Sequence, residues 1–147
     1  RDALLVAKKS YSQEIKNIVD KLKKEKISEG ILHKRIYRPW GFFETLIEEN
    51  LWKVKLIEVK AGESLSLQMH KYRSEHWIVV KGKAKVQIGD KIIYLGPNQN
   101  VSIPCGSLHR LSNETKEDLK IIEVQTGSYL GEDDIIRCDD NYGRLKN

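Results

Sequence analysis

From Tyr37 to the end of the chain, apolar and polar side chains alternate in short segments, each stopped by Gly, Pro, Asn or Asp. Alternation of period two places successive side chains on opposite faces of a strand, so each segment suits a sheet with one face buried. "FFETLIEE", "WKVKLIEV", "SLSLQMH", "HWIVV", "KAKVQI", "KIIYL", "NVSI", "HRLS" and "LKIIEVQ" are the candidate strands. "IGDK" joins two of them as a tight hairpin, because Gly89 and Asp90 tolerate the positive φ of primed turns. No helical period interrupts the series, which predicts an all-β sandwich or small barrel of the double-sheet jelly-roll kind. In "RPWG" the residues Arg38, Pro39, Trp40 and Gly41 predict a rigid entry turn, with the indole packed over the barrel.

The leader obeys a different period. Ile15, Ile18, Val19 and Leu22 fall on one helical stripe, Ser10 and Gln13 have the spacing of a capping box, and Gly30 offers a stop. These signals predict a helix over about residues 11 to 27, preceded by a short strand in "DALLVA". Residues 1–35 therefore read as a strand remnant and helical connector, and 36–147 as the folded domain. A chain of 147 residues is about one domain long.

The net charge of +5 is confined to this leader. Residues 1–35 carry ten Lys or Arg against five acidic residues, and the remainder carries sixteen of each. A nucleic-acid groove on the main domain is thereby disfavoured, and the lysine-rich helix reads as a solvated face. No apolar run approaches the roughly 20 residues of a membrane span, so no membrane partner and a cytoplasmic location are expected. Cys105 and Cys138 belong to no Cys-x-x-Cys pair and are expected to be packed, reduced thiols.

The chemistry concentrates in "SLQMHKYRSEHW". Alternation places Ser66, Gln68 and His70 on one face and Leu65, Leu67 and Met69 on the other, and a turn at "KYRS" returns Glu75 beside them. With His109 from "PCGSLHRLSN", these residues are candidate ligands of one metal ion. Two imidazoles, a carboxylate and an amide oxygen suit a divalent ion, Zn²⁺ foremost, with Co²⁺, Mn²⁺ or Fe²⁺ also compatible. In "LKIIEVQ", Glu123 and Gln125 share one face and Ile122 and Val124 the other, and the pattern leaves open which face turns inward. An inward glutamate would have to be paired or functional, so Glu123 is a candidate base. His76 follows a proposed ligand, points the opposite way and reads as structural, while Trp77 reads as core in preference to a sugar-facing wall.

The order Gly62, Gln68, His70, Glu75, Gly82 followed by Pro104, Gly106, His109, Asn113 resembles the paired motifs of the cupin superfamily, with Gln68 where many cupins have a histidine. Together with "YRPWGFFETL", "RSEHWIVVKGKAKV", "IPCGSLHRLSN", "IIEVQTGSYLGEDDIIR" and "DNYGR", it is similar to the type II phosphomannose isomerases over about residues 36 to 144. The stretch after His70, often histidine-rich in that family, is here Lys71 and Tyr72.

The resemblance implies a cupin double-stranded β-helix with an N-terminal helical leader. It also implies an isomerase that interconverts mannose 6-phosphate and fructose 6-phosphate through a metal-assisted cis-enediol, fused in many members to a mannose-1-phosphate guanylyltransferase. Arg137 in "GEDDIIR" is the candidate catalytic or phosphate-facing arginine, because type I isomerases carry a similar run. Arg73, Arg110 and Arg144 are further candidates for binding the substrate phosphate. The rival readings are a metal-dependent oxygenase, which the extra oxygen ligand Gln68 disfavours, and a non-catalytic metal-binding module for sugar binding or oligomerisation. Sheet edges and the apolar helix stripe lead us to expect a homodimer.

Overall fold

The structure, a computed structural model, describes residues 4–25, 27, 34–139 and 142. It divides into two compact units, 1–34 and 35–147. In the first, a 3₁₀ segment (Lys9–Glu14) runs into helix α1 (Ile15–Lys24). The helix stripe is where its period put it, but the capping box is not formed. The residue preceding the 3₁₀ segment is Lys8, and it makes no side-chain cap bond; Ser10 lies inside the segment and cannot act from there. The strand expected in "DALLVA" is absent over residues 4–7, which are irregular and exposed. Its first two residues, and Gly30, lie outside the described residues.

Among the described residues the second unit contains eleven strands: β1 (Arg35–Arg38), β2 (Gly41–Glu48), β3 (Trp52–Val59), β4 (Leu67–His70), β5 (Arg73–Lys81), β6 (Ala84–Ile88), β7 (Lys91–Leu95), β8 (Asn100–Ile103), β9 (His109–Ser112), β10 (Leu119–Gly127) and β11 (Ile135–Asp139). They form two antiparallel sheets, of order β1-β2-β3-β10-β5-β8 and β11-β4-β9-β6-β7. The nine predicted strands all occur. β1 and β11 are additional, and β5 begins at Arg73 because the chain turns tightly at Lys71 and Tyr72. Gly89 alone takes positive φ in the β6–β7 hairpin, as a II′ turn requires of its first residue, so Asp90 carries no strain.

Inward-facing positions divide into an apolar end and a polar end. Ile57 and Val59 on β3, Trp77 and Val79 on β5, and Leu119 and Ile121 on β10 meet Ala84, Val86, Leu95 and Leu111 of the opposite sheet in the core. Trp40 of the entry turn joins them. Further along the same strands the inward parity passes to charged and amide side chains, in register: Lys55, Glu123 and Trp77 on one rung, then Lys53, Gln125 and Glu75. Gly127 faces Arg73 on the next rung. A Cβ there would stand 2.1 Å from the Tyr72 carbonyl, so only glycine lets β10 pass this close to the β4–β5 turn.

Both cysteines are free but exposed, not packed. Cys105 occupies the turn before β9 and donates its S–H to the Lys71 carbonyl at 3.0 Å, while Cys138 faces out of the edge strand β11. Among the described residues no helix is long and apolar enough to cross a membrane.

Asn113, the last residue of the second motif, closes the apolar end. Its buried amide donates to the carbonyls of Val59, Lys60 and Glu117, and its oxygen accepts from the amide and hydroxyl of Thr115. Asn113→Ala orphans the buried Val59 carbonyl and removes the bonds that tie the part-buried Lys60, Thr115 and Glu117 backbone to this side chain. It should cost about 3 kcal/mol of unfolding free energy in urea titrations, with little change in metal affinity.

Candidate metal centre

β4 and β5 belong to different sheets, and the turn between them brings His70 and Glu75 face to face. His109 arrives from β9, where its Cα pairs with that of Gln68. His70, Glu75 and His109 are buried, and each offers a ligand atom within 4.8 Å of the others. His70 Nε2 lies 3.1 Å from one Glu75 oxygen and His109 Nε2 lies 3.6 Å from the other. Ligand atoms arranged tetrahedrally around one ion at about 2.1 Å stand roughly 3.4 Å apart, so the spacing fits.

Protonation supports the same fit. The Ser107 carbonyl can only accept, so the 2.8 Å contact places the His109 proton on Nδ1 and leaves a lone pair on Nε2. That nitrogen is buried without a hydrogen-bond partner and faces a carboxylate, an arrangement that a cation between them would satisfy. Burial holds the His109 pKa below its ordinary value against the opposing pull of Glu75, which keeps the imidazole neutral, as a ligand must be. His70 Nδ1 lies 3.4 Å from the Asp134 carbonyl, the partner that directs its Nε2 to Glu75.

Glu75 and Glu123 are driven apart in acidity. Burial pushes Glu75 up, but the hydrogen bond and charge of His70, then His109 and Arg73, hold it well below the usual carboxylate range. Glu123 faces inward and is pushed up to about 8 by burial and then by the Glu75 charge, with Lys55 opposing. Trp77 Nε1–H donates to both carboxylates, at 3.2 Å to Glu75 and 2.9 Å to Glu123, and Gln125 likewise donates to both. The shared donors and the two opposed shifts favour the ionised form of Glu75 and the protonated form of Glu123.

The remaining candidates separate. Gln68 is buried and lines the cavity, its side-chain oxygen accepting from Ser66 at 3.1 Å. Arg73 is buried against the ligands themselves: Nε donates to Glu75 at 3.2 Å, Nη2 lies 3.4 Å from His70 Nε2, and Nη1 donates to the Gly131 carbonyl at 2.9 Å. Arg137 lines the same cavity from β11, opposite Gln68. Arg110 does not reach it. His109 points inward, so its neighbour on the strand must point outward, where Arg110 pairs with Asp139. Arg144 lies outside the described residues. His76 faces away from the ligands and bonds Ser102 at 2.8 Å, and Trp77 is core at its ring and polar at its N–H.

Sequence reasoning missed Lys55, Glu132 and Asp134. Lys55 lines the cavity and pairs with Glu132 of the 3₁₀ turn Glu132–Asp134. Asp134 accepts from the amides of Lys71 and Tyr72 and so fixes the β4–β5 turn. Lys55 shares strand parity with Ile57 and Val59, which was the available signal.

A two-sheet antiparallel barrel with two imidazoles and a carboxylate converging inside it is a cupin-type double-stranded β-helix with a candidate metal centre. Solved structures agree on the fold. The capsular polysaccharide assembling protein CapF from Staphylococcus aureus gives a TM-score of 0.63 at 20% identity, over 83% of this chain and 42% of that one. A Klebsiella pneumoniae protein with a double-stranded beta-helix domain gives 0.60 at 17% identity, over 73% and 86%.

Residues 25–140 match the family model of the mannose-6-phosphate isomerase C-terminal domain, and the chain belongs to that family. It is 50% identical over 143 residues to the xanthan biosynthesis protein XanB of Xanthomonas campestris, covering 97% of this chain and 31% of that protein. It is 44% identical over 145 residues to the mannose-1-phosphate guanylyltransferase ManC of Salmonella typhimurium (99% and 30%), and 49% over 144 to the alginate biosynthesis protein AlgA of Pseudomonas aeruginosa (98% and 30%). The chain thus spans about a third of these relatives, corresponding to their C-terminal domain.

The raised Glu123 pKa has a consequence for stability. Its contribution is fully present below the ordinary value of 4.5 and is lost as pH rises through about 8. In chelator, the melting temperature of the wild type should therefore fall across that window relative to Glu123→Gln. The difference isolates Glu123 from His109, whose lowered pKa acts in the opposite sense below its ordinary 6.5. Parallel profiles for the two proteins would contradict the assignment.

Proposed function

We propose that this domain is a metal-dependent mannose-6-phosphate isomerase, which interconverts mannose 6-phosphate and fructose 6-phosphate and works beside a guanylyltransferase domain in supplying GDP-mannose for polysaccharide synthesis. The observation that carries the reading is the buried Glu123 carboxyl, which lines one cavity together with Glu75, the carboxylate of the three-residue ligand group. His70, Glu75 and His109, with Gln68 as the added oxygen donor, would hold the divalent ion, Zn²⁺ by its donor set. When bound, that ion supplies Lewis-acid polarisation of a sugar oxygen.

The chain's own residues supply the rest. Aldose–ketose isomerisation moves a proton between C1 and C2 of the open-chain sugar by way of a cis-enediol, which calls for a group that both takes and returns a proton near neutral pH. A carboxyl with a pKa of about 8 meets that requirement. Trp77 and Gln125, by donating to Glu123 and Glu75 together, orient the first and keep the second ionised. Arg137 brings a planar, permanently charged donor to the same cavity and stabilises the oxyanion as it develops. The relatives' names, with mannose-1-phosphate guanylyltransferase among them, support the wider metabolic setting.

The test is formation of fructose 6-phosphate from mannose 6-phosphate by the metal-loaded chain. Chelator should abolish turnover. Glu123→Gln and Arg137→Lys should each lower kcat by about 10² or more, with metal affinity retained. A folded, metal-loaded wild type without turnover would overturn the isomerase reading in favour of a non-catalytic metal-binding module.

A further inference from the structure

Lys55 stands out among the cations of the cavity by the kind of partner it has. Its side chain is 4% exposed, yet the carboxylate paired with it, Glu132, is 40% exposed. Arg73 holds Glu75 and the Gly131 carbonyl; Lys53 also pairs with an exposed carboxylate, Glu48, but it donates to the Leu130 carbonyl at 3.1 Å as well and is not among the residues that line the cavity. Glu132 reaches inward from a three-residue 3₁₀ turn at the rim, and its attraction to Lys55, then to Arg73 and Lys53, is what an incoming anion has to replace.

A second cation lies against the same aromatic ring. The Lys55 ammonium lies 4.6 Å from the centroid of the Phe43 ring and the Arg38 guanidinium 5.6 Å from the same centroid, and all three residues line the cavity. Lys55 is the cross-strand partner of Glu123, whose own partner on β5 is Trp77; Glu75, the ligand on β5, lies on the next inward rung, opposite Gln125. Lys55 and Glu75 stand two strands apart, about 10 Å by the usual strand spacing. The cationic corner and the ligand corner are therefore separate ends of one cavity.

We propose that Lys55 and Arg38, set against the Phe43 ring, form the anion subsite that takes the phosphate of the sugar phosphate, and that the Glu132 carboxylate occupies this place until the substrate displaces it. A buried ammonium requires an anion at all times, and a part-exposed rim carboxylate satisfies it. A phosphate dianion carries more charge than the carboxylate and accepts from both cations at once, which drives the exchange. The choice of a sugar phosphate as ligand rests on the isomerase reading; the subsite itself rests on the geometry.

The experiment is calorimetric titration of the full chain with inorganic phosphate in the presence of chelator, so that no metal contributes to binding. Glu132→Gln should bind phosphate about tenfold more tightly than wild type and Lys55→Met at least about tenfold more weakly, the scale of one ion-pair exchange at a buried charge. Mannose 6-phosphate should follow the same order, and mannose should respond to neither substitution. Circular dichroism confirms that the variants are folded, and Glu132→Gln, at a rim position, carries the test by itself if Lys55→Met is not. Equal phosphate affinity in wild type and Glu132→Gln, or weaker binding by the latter, would overturn the proposal. The expected order of affinities in a chain without isomerase turnover would leave the subsite standing and remove the isomerase reading.

Discussion

The Glu75 carboxylate is 3% exposed, and five side chains converge on its two oxygens. His70, Arg73 and Gln125 approach one oxygen at 3.1, 3.2 and 3.2 Å, and Trp77 and His109 approach the other at 3.2 and 3.6 Å. These groups come from β4, β5, β9 and β10, so a single buried charge draws both sheets together at the polar end of the barrel. Removing one partner of such a buried network costs several kcal/mol, because the groups left behind have no water to turn to. Burial and then the same charge push the Glu123 pKa up, so acid–base poise and ligand geometry are linked through Glu75.

The barrel accommodates this arrangement by dividing labour along each strand. β3, β5 and β10 direct Val59, Val79 and Leu119 into the apolar core and, several residues away on the same face, direct Lys55, Glu75 and Glu123 into the cavity. The apolar end provides the stability that the polar end consumes, and Asn113 locks the apolar end by holding three backbone carbonyls. The turn at Lys71 and Tyr72 couples the two halves of the site. Asp134 grips its amides, and Arg73, the first residue after it, ties Glu75 to the Gly131 carbonyl. Displacement of Glu132 by an anion would therefore act on the turn that positions His70 and Glu75.

The sequence carried much of this in its parity. Gln68 and His70 had to share a face and His76 had to oppose Glu75, and both relations hold, whereas the same parity turns Arg110 outward and removes it as a phosphate-binding candidate. The parity that places Lys53 and Lys55 with Ile57 and Val59 was equally visible, but lysine is so seldom buried that alternation alone does not suggest an inward ammonium. On β10 both faces are apolar in part, since Ile121 competes with Ile122 and Val124, and only the partner strands decide that Glu123 turns inward. The leader failed for a local reason: Ser10 and Gln13 have the spacing of a capping box, yet a 3₁₀ segment begins ahead of Ser10 and removes it from the cap position. Glu132 and Asp134 were beyond sequence reasoning because their roles depend on where a short turn packs, which no periodicity encodes.

The account depends most on the claim that His70, Glu75 and His109 hold one ion. X-ray absorption at the metal edge, on the chain loaded with one equivalent of Zn²⁺, tests it directly and without reference to turnover. Two imidazole nitrogens and a carboxylate oxygen at about 2.0 to 2.2 Å are predicted, with one imidazole lost in His109→Ala. A first coordination sphere without imidazole, or one unchanged by His109→Ala, would contradict it.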